Sequence, residues 1–333
     1  MRVVVADPPA FTPPYDHALA EALSRAGADV QLVTSRFRFG DAPAPNGYRR
    51  RELFYPLSSR LFGRSRLRVP LKLAEHPLGL AALAATPAEV VHVQWLAVPE
   101  VDSWLLRHRA PLVLTAHDLL PRRTAAKTGL WRRAFGRFER IVVHSQRGRE
   151  TLAAFGVPEE KLRVIPHPVT PSDPQRADDG RTVLALGLVR PYKQLDHARE
   201  AVERVPGARL RIAGDAKAFL SETQIDAALG ESTVAVFPYR PELDQSGALL
   251  RALGAGVPAV VYDVGGLAEP VRQFGAGRVV APDDVDGLAA AIGELLDDEG
   301  ALALARAGAA KARTELTWEA SAQAHLALYA ELV

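Results

Sequence analysis

The 333-residue sequence contains no cysteine and a single methionine. Without cysteine the chain has no disulfide framework, no thiolate nucleophile and no cysteine-ligated zinc or iron–sulfur site. It also lacks the run of about 18 apolar residues that a membrane-spanning helix needs, and its first residues do not form a signal-peptide pattern. We therefore expect a soluble, cytoplasmic protein. A hydrophobic content of 48% with 24% charged residues excludes a disordered or fibrous chain.

The formal net charge of +2 conceals two halves of opposite charge. Residues 1–170 hold 25 Lys/Arg and 15 Asp/Glu, whereas residues 171–333 hold 16 and 24. The basic residues concentrate in segments 49–72 and 122–149. They form either a solvated face or a surface for an anionic partner, such as a phosphate-bearing acceptor or an acidic membrane. Nucleic acid is not expected, because the basic runs lack interleaved aromatic residues.

Short β-branched runs alternate with helical stretches along the whole chain. The runs are continuously apolar, which is typical of parallel strands covered by helices on both faces. This alternation predicts two doubly wound α/β domains. The predicted strands are 2–6, 29–34, 89–95, 111–116, 140–144, 162–166, 182–187, 209–214, 233–238, 258–262 and 277–280.

The predicted domain boundaries follow from a segment rich in proline and aspartate at residues 168–180. We expect an N-terminal domain over 1–167, a linker over 168–180 and a C-terminal domain over 181–316. A last helix over 317–333 is expected to return to the first domain. Ligands of such sheets bind outside the carboxyl ends of the strands, so two facing domains create a cleft between those loops.

The loop after the first strand, residues 7–15, contains no glycine. A dinucleotide-binding fingerprint is therefore absent, and a dehydrogenase is not expected. Walker-type phosphate loops and the G-x-S-x-G elbow of hydrolases are absent as well.

The order and spacing of several stretches resemble the retaining glycosyltransferases of family 4, which have the GT-B fold of two Rossmann-like doubly wound domains facing across a cleft. In the second half the resemblance is carried by 187–194, 238–240, 244–250, 254–258 and 263–269. In the first half it is carried by 115–118 and 165–168, and at the end by the helix from Trp318 to Tyr329. The resemblance covers nearly the whole chain and implies an acceptor-binding first domain and a donor-binding second domain.

Transfer from a nucleotide sugar leaves a diphosphate, whose charge a metal-free site neutralises with fixed cations and backbone amides. The resemblance assigns this task to Arg190 and Lys193, with His117 and Asp118 facing the reacting sugar. The two cations have an alternative interpretation as exposed loop residues, and His117 as a packed strand-end residue. The remaining donor-binding candidates are Gly187, Asp244, Gln245, Ser246, Gly247 and Arg251. Ser246 and Gly247 open a helix whose free N–H groups bind anions, unless Ser246 is an ordinary cap.

Two departures from the family pattern concern the donor side. The family usually has two glutamates eight positions apart, and the matching positions here are Leu243 and Arg251, with Glu242 and Asp244 flanking the first. Arg251 cannot accept ribose hydroxyl groups as a carboxylate does. The chain between residue 215 and the helix predicted at 219–229 is also short, which implies a reduced donor domain.

On the acceptor side, the candidates are Tyr15, Asp16, His17 and Trp95. Trp95 ends a strand and either stacks on an acceptor ring or belongs to the core. Tyr15, Asp16 and His17 either shape the acceptor pocket or simply begin a helix. His144 and His167 have no partners at metal-ligand spacing, and Asp284 with Asp286 is better explained by helix capping than by metal binding.

The sequence thus predicts a retaining glycosyltransferase that moves a sugar from a nucleotide-diphosphate sugar to an acceptor hydroxyl without a metal or other cofactor. The expected acceptor is a small molecule, a glycan or a lipid-linked molecule, and peripheral association with an anionic inner membrane face is a further interpretation of the basic segments. Two alternatives stay open: a catalytically silent nucleotide-sugar-binding or scaffold protein, and a sugar-nucleotide epimerase of the same fold.

Overall fold

The computed structural model describes residues 1–38, 42–61, 65–121, 124–214, 220–241 and 244–333. The chain divides into two compact units. The first unit consists of Met1–Pro166 and Trp318–Val333, and the second consists of His167–Thr317. Several residues discussed above lie outside the described ranges, namely Phe62, Arg64, Arg122, Arg123, Asp215, Phe219, Glu242 and Leu243.

Each unit is built on one parallel sheet. The sheet of the first unit has the order β3-β2-β1-β4-β5-β6-β7, and that of the second has the order β12-β11-β10-β8-β9. The strands are β1 (Arg2–Asp7), β2 (Asp29–Ser35), β3 (Arg49–Phe54), β4 (Val90–Val93), β5 (Leu112–Thr115), β6 (Arg140–Val143), β7 (Leu162–Val164), β8 (Thr182–Leu186), β9 (Arg209–Ala213), β10 (Val234–Phe237), β11 (Ala259–Tyr262) and β12 (Gly277–Val280).

Helices cover the faces of both sheets, which confirms the predicted α/β class with two parallel sheets. In the first unit, α1 and the last helix share one core with the sheet, while the other face packs against the remaining helices. The helices are α1 (Pro13–Arg25), α2 (Arg68–Ala84), α3 (Pro99–Leu105), α4 (Thr128–Gly136), α5 (Gln146–Phe155), α6 (Leu195–Glu203), α7 (Glu222–Gly230), α8 (Gly247–Gly254), α9 (Ala268–Phe274), α10 (Val285–Asp297), α11 (Glu299–Glu315) and α12 (Trp318–Ala330).

The strand order reverses at one point in each sheet, and that point is where an open α/β sheet binds its ligands. In the first unit the reversal lies between β1 and β4, and in the second between β8 and β10. The loops that follow these four strands carry half of the site residues predicted from the sequence, and α1 and α8, which begin where two of these loops end, carry five more.

The last helix packs in the first unit through a chain of buried polar contacts. The Tyr329 hydroxyl lies 2.6 Å from Nδ1 of His92, and Nε2 of His92 lies 2.7 Å from Oγ1 of Thr115. Burial, together with the charges of His325 and His144, holds the pKa of His92 well below its ordinary value, so the ring is neutral. The hydrogen bonds connect α12 to β4 and β5 without burying a charge.

The segment 168–180, predicted as a linker, has neither helix nor strand and packs on the second unit. The Asp173 carboxylate pairs with Arg313 through two contacts of 2.6 and 2.8 Å. A Cβ on Gly254 would lie only 2.1 Å from the Thr170 carbonyl oxygen, so glycine permits this close approach.

Candidate active site

The loop after β8 brings Gly187 against the side chain of Lys193. Gly187 has φ +94°, and a Cβ at this position would lie 2.8 Å from Nζ of Lys193 and 3.6 Å from Cβ of Ala248. Only glycine adopts this conformation without strain while leaving room for the lysine. Ala248 is in the first turn of α8, so the glycine loop lies directly beside the beginning of that helix.

Lys193 is buried at the end of a short turn, Pro191–Lys193, that Arg190 precedes. Its Nζ donates a hydrogen bond of 2.7 Å to the carbonyl oxygen of Leu186, the last residue of β8. The ammonium group also lies 5.4 Å from the ring centroid of Tyr239. Burial, and then the charge of Arg190, lowers the pKa of Lys193 to about 8. Arg190 itself is exposed, and its Nη1 donates to the carbonyl oxygen of Val189 at 3.1 Å.

The beginning of α8 is the second part of this site. Ser246 is the N-cap: its Oγ accepts from the amide of Leu249 at 3.3 Å and donates to the Tyr239 hydroxyl at 3.5 Å. Gly247 is exposed at the first helical position, so a ligand can approach the remaining N–H groups of the first turn. Asp244 is buried, with its carbonyl oxygen accepting from the amide of Gly266 at 2.7 Å, and Gln245 is half-buried.

Arg251 points to a different partner. Its two terminal nitrogens contact both carboxylate oxygens of Glu222 on α7 at 2.6 and 2.8 Å. The structure therefore joins Gly187, Lys193 and Ser246 around Tyr239, whereas Arg251 pairs with α7.

In the first unit, aromatic rings gather at the carboxyl ends of β4 and β5. The Trp95 and His117 rings stack with centroids 5.1 Å apart and planes at 16°, and the Tyr15 ring meets His117 edge-on at 4.7 Å. Phe11 meets Trp95 edge-on at 5.5 Å and is 56% exposed. The neighbouring Asp118 is exposed. Tyr15 and Trp95, predicted on the acceptor side, thus form one cluster with His117, predicted as a catalytic residue.

Two polar contacts hold this cluster in place. The His117 Nε2 lies 3.0 Å from Oε1 of Gln94, and the Trp95 Nε1–H donates to Oγ1 of Thr12 at 2.8 Å. Neither Gln94 nor Thr12 was predicted from the sequence to be a functional residue. Gln94 directly follows β4 and Thr12 directly precedes α1. Because ligands of such sheets bind at the carboxyl ends of the strands, these positions could have indicated a role for both residues.

Asp16 and His17 lie beneath the cluster, on α1. Burial and the charge of neighbouring Asp7 raise the pKa of Asp16 well above its ordinary value. His17 is buried, its Nδ1 contacts the Tyr48 hydroxyl, and burial followed by the charge of Arg50 lowers its pKa to about 4. Both residues line a small cavity whose other polar wall residues are Thr34, Ser35, Arg50 and Glu52.

No group of three metal-binding side chains exists among the described residues. Asp284 caps α10 by accepting from the amide of Gly287 at 2.8 Å, which confirms the capping interpretation of that aspartate. Asp286 pairs with Arg204. Within the same described ranges, no helix has the length and apolarity needed to cross a membrane.

Two family models match the chain in succession. The model of Glycosyltransferase Family 4 matches residues 15–173, and that of Glycosyl transferases group 1 matches residues 180–298. Between them they cover every strand except β1.

Individual proteins show more distant similarity. An exopolysaccharide phosphotransferase of Streptomyces coelicolor is 31% identical over 49% of this chain, and the chain spans only 20% of the length of that relative. A D-inositol 3-phosphate glycosyltransferase of Mycobacterium marinum is 26% identical over 92% of this chain and 78% of its own length. The solved structure of the Anabaena protein HepE in complex with UDP-glucose has the same fold, with a TM-score of 0.72, 16% identity and all of both chains covered.

Proposed function

Because the chain belongs to the GT-B glycosyltransferases of family 4, we propose that it moves a sugar from a nucleotide-diphosphate sugar to an acceptor hydroxyl with retention of configuration. In this reaction the bond between the anomeric carbon and the diphosphate breaks. The acceptor oxygen forms the new bond on the face of the sugar that the diphosphate leaves, and the proton of the acceptor hydroxyl passes to an oxygen of the departing diphosphate. The leaving diphosphate is the largest developing charge, so fixed positive charge is what the protein must supply.

The observation that carries this proposal is the buried ammonium group of Lys193 beside the beginning of α8. Lys193 is 5% exposed, and its hydrogen bond to the carbonyl oxygen of Leu186 fixes the position of the charge at the end of β8. A preorganised cation requires no reorganisation when charge develops on the leaving group. The N–H groups beyond Ser246 add a second anion-binding element next to it.

Arg190 precedes Lys193 on the same loop and is exposed, so it is suited to contact the solvent-facing side of a diphosphate. Gly187 and Gly247 leave their backbones accessible to the ligand. Asp244 and Gln245, just before α8, supply oxygen and amide groups for sugar hydroxyls. The complex of HepE with UDP-glucose supports a nucleotide sugar as the donor class for this fold.

The acceptor is proposed to bind in the first unit, where Trp95 presents an aromatic ring and His117 a hydrogen-bonding group. An aromatic face next to polar groups is a common way to hold a sugar or cyclitol ring, because the C–H face of the ring packs on the aromatic ring. The name of the Mycobacterium marinum relative includes a phosphorylated cyclitol, which supports a small polar acceptor. His117, with Asp118 next to it, is the proposed contact with the reacting hydroxyl group.

The comparisons do not favour the two alternatives, a silent scaffold and a sugar-nucleotide epimerase. An epimerase would need catalytic carboxylates in the site, and Asp244 is the one carboxylate among the described donor-side candidates of the second unit. Slow release of nucleoside diphosphate from a nucleotide sugar is expected of a transferase and not of a scaffold.

A thermal-shift screen against nucleotide sugars and free nucleotides tests the proposal, since ligand binding stabilises the folded state by mass action. We expect a rise in melting temperature with at least one nucleoside diphosphate and its sugar conjugate. The rise should be lost in Lys193→Met and retained in Lys311→Met, a change at an exposed lysine of the same unit whose partner is Glu315. No shift with any nucleotide would contradict the proposal.

A further inference from the structure

Two residues with left-handed backbone conformation meet through their side chains in the second unit. Gln194 has φ +43° and Asp283 has φ +62°, and they are two of the four non-glycine residues with positive φ in the described ranges. The Nε2 of Gln194 donates a hydrogen bond of 2.8 Å to Oδ1 of Asp283. A side chain disfavours this backbone conformation, so such residues persist where their surroundings hold them, and they cluster at functional loops.

Gln194 directly follows Lys193 and is the N-cap residue of α6. Its amide N–H donates to the carbonyl oxygen of Pro191 at 3.4 Å, and its carbonyl oxygen accepts from the amide of Ala198 at 3.3 Å. The turn that carries Lys193 and the first turn of α6 therefore join at this residue. Glycine would adopt the same conformation without strain. What glutamine adds is a side chain that reaches Asp283.

Asp283 lies in the short connection between β12 and α10, which hydrogen bonds hold at the beginning of α10. The amide of Asp284 donates to the carbonyl oxygen of Ala281 at 3.3 Å, and the carbonyl oxygen of Asp284 accepts from the amide of Leu288 at 2.9 Å. α10 also packs directly on α6. The Asp283 side chain is 66% exposed, so its carboxylate keeps contact with water while one oxygen accepts from Gln194. Asp283 is thus an acceptor that elements outside the β8 loop hold in place.

A histidine on the first turn of α6 supports the orientation of the Gln194 amide group. Nε2 of His197 lies 3.5 Å from Nε2 of Gln194, and Nδ1 of His197 lies 3.1 Å from the hydroxyl oxygen of Tyr262, the last residue of β11. A neutral ring with its proton on Nδ1 donates to Tyr262 and accepts from Gln194.

The oxygen of the same amide group has no such support. Oε1 of Gln194 is buried and has no hydrogen-bond partner among the described residues, which is unfavourable. The reverse orientation would place this oxygen against the carboxylate of Asp283, where both groups are acceptors. The two donated contacts therefore determine how the Gln194 side chain lies.

The position of Lys193 tolerates little movement of the preceding turn. Its Nζ donates to the carbonyl oxygen of Leu186 at 2.7 Å, and a Cβ added at Gly187 would lie 2.8 Å from the same Nζ. A displacement of about 1 Å would break the hydrogen bond to Leu186. Misplacement of that size can lower a reaction rate by about 100-fold. A tether next to Lys193 is therefore suited to preserve its function.

We propose that Asp283 is a positioning residue for Lys193: its hydrogen bond to Gln194 holds the turn Pro191–Lys193 so that the ammonium group stays beside the beginning of α8. The consequence for diphosphate binding rests on the proposed function, whereas the effect on the position of Lys193 does not. Asp283 acts on a ligand only through this turn.

Four variants test the contact. Asp283→Gly removes the carboxylate and relieves the strain of a positive φ, whereas Asp283→Asn keeps an oxygen acceptor and tolerates the same conformation. Gln194→Gly removes the contact from the other side, so the test does not depend on the folding of one variant. Asp286→Ala is the matched control, because its side chain is 92% exposed and it removes the same charge together with the ion pair to Arg204 at the end of α6. Melting temperatures show that each variant folds.

A pH titration of isotope-labelled lysine side chains by NMR measures Lys193 directly, and the signal that is absent in Lys193→Met assigns it. In the parent, burial lowers the pKa of Lys193 to about 8. We expect Asp283→Gly and Gln194→Gly to raise the midpoint by about one pH unit or more, towards that of a solvated lysine, because the ammonium group leaves its buried position. Asp283→Asn and Asp286→Ala should leave it unchanged. The double variant Gln194→Gly/Asp283→Gly should titrate as either single variant does, since both remove one contact.

An unchanged midpoint in both glycine variants overturns the positioning role. A midpoint in Asp283→Asn that moves as far as in Asp283→Gly also overturns it, because the loss of a charge, and not of the hydrogen bond, would then account for the effect.

Calorimetric titration with UDP and ADP separates this inference from the proposed function. We expect the affinity of the parent to fall at least ~10-fold in Asp283→Gly and to stay unchanged in Asp283→Asn and Asp286→Ala. If the Lys193 midpoint moves as expected but the parent binds neither nucleotide nor any nucleotide sugar, the proposed function fails while the positioning role stands. If nucleotides bind and the midpoint does not move, the positioning role fails while the proposed function stands.

Discussion

Nζ of Lys193 lies 2.7 Å from the carbonyl oxygen of Leu186, inside the second unit and at the end of β8, an interior strand of its sheet. The hydrogen bond uses one of the three protons of the ammonium group and leaves two to reach a ligand. A buried lysine held in this way is a fixed charge rather than a flexible surface cation.

Removal of this charge should therefore act on the chemical step. We expect Lys193→Ala and Arg190→Ala each to lower kcat by about 100-fold or more, the size seen when one preorganised group at a developing charge is lost. Lys193→Met, which keeps the length of the side chain, should be equally slow. Steady-state rates with the best nucleotide sugar measure the effect, with Lys311→Ala as a matched control. Near-normal rates in folded Lys193 and Arg190 variants would remove both residues from the site.

The lowered pKa of Lys193 gives donor binding a pH dependence. Only the protonated lysine attracts a diphosphate, so affinity for the nucleoside diphosphate should fall by up to tenfold per pH unit above about 8. Calorimetric titration at pH 7, 8 and 9 measures this, and Lys193→Met should bind weakly without the same trend. A flat profile in the parent would contradict the assignment.

Folding stability should respond to the same group in the opposite direction. The unfolded lysine keeps its proton up to about pH 10.5, whereas the folded one loses it near 8. Between these values the unfolded state binds more protons, so the contribution of Lys193 to the free energy of unfolding rises with pH. Urea denaturation of the parent against Lys193→Met across this window separates its contribution from those of other groups.

The family resemblance predicts that Arg251 stands at the position for ribose recognition, whereas in the structure its guanidinium group pairs with Glu222. We expect Arg251→Glu to change nucleotide affinity or preference without abolishing the fold. Part of any loss in affinity will come from repulsion between the new glutamate and Glu222, on the order of 1 kcal/mol for a pair whose partners are 21% and 71% exposed.

The exchanged pair Arg251→Glu/Glu222→Arg separates the two effects, because it restores the ion pair with the charges reversed. If the exchanged variant still differs from the parent in nucleotide preference, Arg251 contacts the donor. If that variant binds every nucleotide as the parent does, Arg251 serves only the contact between α7 and α8.

Metal independence is a prediction of the site chemistry. We expect fixed cations and helix N–H groups to neutralise the diphosphate in place of a divalent ion, so dialysis against EDTA should leave the transfer rate unchanged. Loss of activity that only added magnesium or manganese restores would contradict this prediction.

Association with an anionic membrane is predicted for the surface between β3 and α2. Leu57, Leu67 and Val69 are 54, 70 and 60% exposed there, close to several arginines. Co-sedimentation with phosphatidylglycerol-containing vesicles should be strong at low salt, weaken with added salt and fall in Leu67→Ser/Val69→Ser. Leu304→Ser, at a leucine 74% exposed in the second unit, is the control. Equal binding to neutral and anionic vesicles, or none, would contradict the prediction.

The sequence predicted most strands to within two residues, because continuous β-branched runs are buried on both faces. β11, for example, was predicted over 258–262 and is observed over Ala259–Tyr262. It did not predict β3, whose residues RRRELF contain no apolar run. β3 is an edge strand that pairs only with β2, and its charged side chains face solvent, so the burial that produces an apolar pattern is missing.

The donor-side motifs could be predicted from the sequence because they depend on local sequence and on backbone conformation. Gly187 and Lys193 lie six residues apart, and a glycine with positive φ is required between a strand and a returning side chain. The pairing of Arg251 with Glu222 joins residues 29 positions apart. Contacts of that kind depend on how helices pack and have no local sequence signature. Leu243, which stands where the family usually has the first of its two glutamates, lies outside the described residues.

The central claim is sugar transfer from a nucleotide sugar with retention. Proton NMR of the anomeric signals tests it most directly, with the nucleotide sugar that gives the largest thermal shift and a panel of sugar and cyclitol phosphates as acceptors. We predict consumption of the donor, release of the nucleoside diphosphate, and a new anomeric signal of the same configuration as the donor, all lost in Lys193→Met. An inverted product, or no consumption of any nucleotide sugar by the folded parent, would contradict the account.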